Sequence, residues 1–192
     1  MKVLRVLALG AALLVAGCAA YTAIDGAKTV SVGDNVSVTP QIAWAQVNNP
    51  GLNGTVWTAD GVMLDSLMFF TGVAPGQPLI KVSGTSKDDL PRPYQKGMVA
   101  DDVMDLLVSN FSKIGYQHVR TANLHPARFG SADGFRFEFT FDTQEGLDMK
   151  GTAIFAQRGD KLDLILFYAP SEYYYGRYSD IVEKIFASIQ AA

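Results

Sequence analysis

The sequence predicts an α+β fold, an antiparallel sheet with helices packed on it. Three observations carry this. Residues 135–142, FRFEFTFD, alternate strictly between phenylalanine and polar residues. That is the period of a half-buried antiparallel strand. Residues 98–114 repeat apolar side chains (Val99, Val103, Leu106, Leu107, Phe111, Ile114) at three- and four-residue steps, the period of a helix. Residues 179–190, SDIVEKIFASIQ, show a second apolar stripe at Ile181, Val182, Ile185, Phe186 and Ile189. Helix, strand run and terminal helix together suit helices packed against an antiparallel sheet.

The chain opens with Lys2 and Arg5, then an uncharged apolar run from Val6 to Ala16. That run falls well short of the roughly 20 residues that span a bilayer as a helix. A basic start, a short apolar core and small residues after it describe a secretory signal peptide, residues 1–17. Cys18, the one cysteine, follows directly. A lone thiol cannot form an internal disulfide, so an exported chain that keeps one needs another use for it. Val15-Ala16-Gly17-Cys18 resembles the lipobox of bacterial lipoproteins. That resemblance implies a diacylglycerol thioether on Cys18, cleavage before it and acylation of the new amino terminus, palmitate among the chains. Two or more chains anchor a protein stably where one does not. The alternative is a free or buried cysteine after an ordinary cleavage site. Ala19 and Ala20 follow, and in that family the lack of aspartate there favours the outer membrane.

Loss of the leader removes two basic side chains and no acidic one, moving the formal charge from −3 to −5. A mildly acidic chain lacks the footprint of a nucleic-acid binder and of a polybasic lipid grip. The remaining length suits one domain, residues 28–192, preceded by a tether at 18–27.

Within the domain, KTVSV (28–32) and NVSVTP (35–40) flank Gly33-Asp34 as a hairpin. IAWAQV (42–47) and TVWTAD (55–60) read as strands across a loop at 48–54. VMLDSLMFFTGV (62–73) is a central strand or a bent pair, and PLIKV (78–82) a further short strand. Two prolines, two glycines and mixed charge make 83–97 a loop. The helix at 98–114 has Asp101 and Asp102 near its positive end, Lys113 near its negative end and Gly115 as a stop. From 116 the period becomes two, and 135–142, 148–157 and 161–169 form a meander. Arg158-Gly159-Asp160 is its second turn, not an adhesion motif. Asp180 and Glu183 suggest a capping box opening the last helix.

The central helix, the aromatic meander 135–168, APSEYY and the closing YSDIVEKIFASI resemble the PsbP-like, DcrB-like superfamily. Its members include an extrinsic photosystem II subunit, a Ran-binding nuclear-import factor and bacterial envelope lipoproteins. The resemblance implies an α/β/α sandwich that serves as a scaffold for binding and assembly, with no catalytic residues to transfer.

Chemistry is sparse. His118 and His125 are the only histidines, too few for the three or four ligands of a zinc site, and they read as surface residues. No G-x-S-x-G elbow, G-x-G-x-x-G or Walker pattern is present. The expectation is therefore no catalytic, metal or cofactor residues. Glu138 and Asp163 could form an acid–base pair on the outer face of the meander, or belong to a solvated, charge-paired face. The stretch SEYYYGRYSD (171–180) offers a candidate partner surface in Tyr173, Tyr174, Tyr175, Arg177 and Tyr178, since tyrosine and arginine dominate binding hot spots. Alternatively, two of the tyrosines pack under the helix and two cap the sheet edge. The functional expectation is a periplasm-facing envelope lipoprotein, membrane-bound through lipid on Cys18, that binds an envelope protein partner or assists envelope assembly without catalysis. The alternative is a tethered hydrolase or small-ligand binder using 83–97 and the tyrosine stretch.

Overall fold

Phe137, Phe139 and Phe141 lie one strand in from the edge of an eight-stranded sheet, buried as their alternation predicts. The structure, a computed structural model, describes residues 20–82 and 90–191. The leader, Cys18 and residues 83–89 of the 83–97 loop lie outside the described residues. In chain order the elements are β1 (Tyr21–Ile24), β2 (Val30–Gly33), β3 (Val36–Val38), β4 (Trp44–Val47), β5 (Thr55–Thr58) and β6 (Ser66–Val73). Then come α1 (Ala100–Lys113), β7 (Gln117–Phe129), β8 (Ala132–Asp142), β9 (Asp148–Arg158), β10 (Lys161–Pro170), α2 (Tyr174–Ala187) and β11 (Gln190–Ala191).

The large sheet has the order β1-β4-β5-β6-β10-β9-β8-β7, and every pairing is antiparallel. A small sheet, β11-β3-β2, is also antiparallel. One face of the large sheet packs on α1 through Val103, Leu106, Leu107 and Phe111. The other packs on α2 and the small sheet through Val182, Ile185, Phe186, Val32 and Val38. The architecture is thus α+β with helical layers on both faces. β10 is buried on both faces beyond Lys161, so its sequence is a near-continuous apolar run with Asp163 as the exception.

Local chemistry explains several details. The β2–β3 hairpin turns through Gly33, Asp34 and Asn35, all at positive φ, which glycine and Asx residues tolerate best. Gly151 sits opposite Phe139. A Cβ there would lie 2.2 Å from the Phe139 ring, so the missing side chain is what lets the ring lie flat across β9. β7 is an edge strand, where Pro126 costs no ladder bond. Its alternation is broken by bulges near His118 and Asn123, both at positive φ.

Four expectations are corrected. Residues 21–24, placed in a tether, form β1, because their backbone pairs with β4 at the sheet edge. Residues 78–82 are not a strand. Leu79 and Ile80 are buried, but the Ile80 N–H donates to Asn110 Oδ1 of α1 at 3.1 Å instead of to a neighbouring strand. The last helix begins at Tyr174, five residues before the expected start, so Asp180 lies inside it and caps nothing. Glu183 instead forms a two-pronged ion pair with Arg136 of β8. Finally, the meander face carrying Arg136 and Glu138 is not open to solvent along its length, since α2 and the small sheet cover much of it.

Candidate functional surface

β6 and β9 begin, and β8 and β10 end, at one end of the large sheet. Ser66 pairs with Tyr168, Tyr168 with Gly151, and Gly151 with Phe139. The segments 59–65, 114–116, 143–147 and 171–173 therefore gather at that end.

The 59–65 loop is shaped by Asp65, a fully buried carboxylate. It accepts hydrogen bonds from the Thr58 hydroxyl at 2.7 Å, the Ala59 N–H at 2.7 Å and the Asp60 N–H at 2.9 Å. A buried carboxylate needs such donors. Satisfying it here curls the loop and turns Val62 and Met63 outward, leaving Met63 65% exposed. Leu147 on the neighbouring loop is also exposed, and Ser171 N–H donates to Asp148 O at 3.0 Å, drawing the start of α2 alongside. Between the loops lies a cavity of about 210 Å³ lined by Val62, Met63, Tyr116, Glu145, Met149 and Tyr168. The Tyr116 and Tyr168 hydroxyls are 3.5 Å apart. Burial, then Tyr116, push the Tyr168 hydroxyl well above its ordinary pKa, so it stays neutral. An apolar socket lined by two tyrosines suits an inserted side chain better than acid–base chemistry.

The five tyrosine-stretch residues do not share one surface. The helix divides them by its own period. Tyr178 is buried, and its hydroxyl donates to Asp60 Oδ2 at 2.6 Å. Burial and that carboxylate hold the Tyr178 proton far above the usual tyrosine range. Tyr174 packs into the α2-side core. Tyr175 is half-buried against Phe167, with Lys150 Nζ 5.0 Å from its ring centroid. Only Tyr173, 62% exposed, and Arg177 face solvent. Arg177 lies over both neighbouring rings, 5.9 Å from that of Tyr173 and 5.4 Å from that of Tyr178, and 3.7 Å from Asp60. Tyr173 and Arg177 thus extend the rim that Met63 and Leu147 begin. Sequence reading passed over Val62, Met63 and Leu147. The run 62–73 looked like strand throughout, and the signal against it was Asp65, a charge too central for a buried strand to hold without local donors.

The remaining candidates are not assembled. Glu138 faces Thr152 and Asp163 faces Ala156, four residues apart on β9 and on strands either side of it. That is a separation of roughly 16 Å, so they are no acid–base pair. Asp163 is 1% exposed and held by Arg158 Nε at 2.6 Å and by the Gly72 N–H at 2.8 Å. Beside it Lys161 pairs with Asp34 at 2.9 Å, which lowers the Asp34 pKa. His118 bonds Asp142 at 2.7 Å, and His125 bonds the Asn123 carbonyl at 2.7 Å, both exposed on β7. Among the described residues no group of three His, Cys, Asp or Glu is placed to hold a metal. The described part of the 83–97 loop lies at the far end of the sheet, where Tyr94 bonds Gln157 and Lys96 pairs with Asp160. It therefore shares no pocket with the tyrosine stretch. Among the described residues no helix is long and apolar enough to cross a membrane.

No protein-family model and no curated protein matches the chain. Among solved structures it is similar to the solution structure of cyanobacterial PsbP (CyanoP) from Synechocystis sp. PCC 6803. The TM-score is 0.51 at 13% identity, over 92% of this chain and 95% of that one. The likeness extends over nearly the whole of both chains and is one of fold.

Proposed function

We propose that the chain is a bacterial envelope lipoprotein whose PsbP-like domain is a non-catalytic module for binding a protein partner. Cys18 carries the lipid, the domain faces the periplasm, and the destination is the outer membrane. The leader-plus-lipobox pattern of residues 1–18 supports the anchor. The observation that carries the binding role is the loop end. Four exposed large apolar side chains, Val62, Met63, Leu147 and Tyr173, stand on adjoining loops beside a side-chain-sized socket. Single exposed apolar residues are ordinary, but several converging on one end mark an interaction surface. Arg177 beside Tyr173 supplies the residue types that dominate hot spots.

A photo-crosslinking residue at Met63 of the full-length protein tests this in the native envelope. The expected result is one discrete crosslinked protein, absent when the probe is moved to exposed Asp133 on the opposite end and lost on Tyr173→Ala with Arg177→Ala. An identical crosslink pattern from both probe positions would overturn the binding role.

A further inference from the structure

We propose that Met63 is a methionine-oxidation site, and that its conversion to the sulfoxide by a peroxide closes the loop-end surface to its partner. The proposal rests on the binding role given above and adds a chemical control of that same surface.

Selectivity comes from exposure. A thioether is oxidised where the oxidant reaches its sulfur. Met63 is 65% exposed, whereas Met68, Met98 and Met149 are buried and Met104 is partly buried against the α1-side core. Residues 20–192 contain no cysteine to compete for the oxidant. The 59–65 loop also keeps its shape without the Met63 side chain. Asp65 holds it through Thr58, Ala59 and Asp60. The Leu64 and Asp65 N–H groups both donate to Gly61 O, at 2.7 and 3.0 Å, and the Ser66 hydroxyl donates to Val62 O at 3.2 Å. None of these bonds uses the Met63 side chain, so an oxygen added at its Sδ leaves the frame of the loop in place.

The step is a two-electron oxidation. The Met63 sulfur gives a lone pair to one oxygen of hydrogen peroxide, and the O–O bond breaks. The departing hydroxide takes the proton of the transferred oxygen and leaves as water. Sulfur is oxidised, peroxide is reduced, and no further reactant is needed. The product is polar where the thioether was apolar. Met63 lines the socket with Val62, Tyr116, Met149 and Tyr168. A sulfoxide oxygen there holds water. An apolar partner side chain entering the socket strips that water and offers no donor in return, which weakens docking by about tenfold. Met149 shows the contrast. It is buried in the α1-side core, so its oxidation would damage the fold instead of the surface.

The test uses the full-length protein in its native envelope, with the photo-crosslinking residue at exposed Leu147 so that position 63 stays methionine. Cells are exposed briefly to hydrogen peroxide and crosslinked, and the protein is recovered for peptide mass mapping. The expected result is an added oxygen at Met63 ahead of the other methionines, with the discrete crosslink reduced by about tenfold. Met63→Leu stays apolar and cannot form the sulfoxide, so it should keep the crosslink under peroxide. Met63→Gln places a polar group there without an oxidant and should lose the crosslink in untreated cells. A crosslink that survives with Met63 oxidised, or one lost equally from wild type and Met63→Leu, would overturn the control of binding alone. Oxidation of Met63 no faster than that of Met68 or Met149 would overturn the site. No discrete crosslink from untreated wild type would overturn the binding role and its control together.

Discussion

The two faces of the large sheet are held in different ways. The α1 face is an aromatic lattice. Phe111 meets Phe139, Phe141 and Tyr168 edge-on at 5.7, 5.3 and 6.0 Å, and Tyr116 stacks on Phe141 at 4.4 Å. The α2 face has its own apolar core around Trp57, Phe69 and Phe167, but polar pairs cross it. Arg136 grips Glu183, Tyr178 reaches Asp60, Arg158 holds Asp163, and Ser188 accepts the Thr39 N–H at 2.8 Å. Apolar burial stabilises without direction, whereas a buried polar group is costly unless its one partner is in place. The α1 face thus supplies bulk stability, and the polar pairs of the α2 face fix where the helix and small sheet sit.

Breaking each face in turn measures that difference. Phe139→Ala removes a fully buried ring from the lattice and should cost about 3–5 kcal/mol in denaturant unfolding. Its effect should differ little between low and high salt. Asp163→Asn on the other face leaves Arg158 facing a neutral amide. Because Arg158 keeps 20% of its side-chain exposure, the loss should be about 2–4 kcal/mol, at or below the usual range for breaking a buried pair. Adding Arg158→Met should recover part of it, a rescue unavailable to Phe139→Ala. If the double variant is no better than Asp163→Asn, the pair does not act as a pair.

Tyr178→Phe should cost about 1 kcal/mol by deleting one hydrogen bond, and it should change the pH response. The unfolded tyrosine releases its proton near pH 10, while the folded hydroxyl holds its proton to much higher pH. The wild type therefore has this contribution in full below pH 10 and loses it as pH rises further. Denaturation midpoints at pH 9 and pH 11 should fall less far apart in Tyr178→Phe. The smallest effect belongs to Tyr173→Ala with Arg177→Ala. Both side chains are exposed, so stability should shift by less than about 0.5 kcal/mol each while the Met63 crosslink disappears. A large fall in melting temperature would assign them to the fold instead.

Legibility followed the same division. The alternation at 135–142, the stripe of α1 and the β2–β3 turn were readable because neighbours in sequence decide them. The 62–73 run hid a loop because Asp65 draws its donors from residues 58–60. The start of α2 was misplaced because Asp180 and Glu183 look like a cap locally, whereas Glu183 answers to Arg136, 47 residues away. Residues 78–82 looked like a strand by composition, but their backbone bonds Asn53 of the 48–54 loop and Asn110 of α1 instead of a strand. The candidate surface was half visible. Its tyrosines and arginine were noticed, yet which of them face water depends on a helix phase set by Tyr178 and Asp60. Met63 and Leu147 carry no pattern in sequence at all.

The anchor is tested most directly by labelling bacteria that express the full-length chain with a clickable palmitate analogue, beside a Cys18→Ser variant. The wild type is predicted to be labelled and to fractionate with membranes, and Cys18→Ser to be unlabelled and released from them. Labelling and fractionation that are unchanged by Cys18→Ser would contradict the lipoprotein reading.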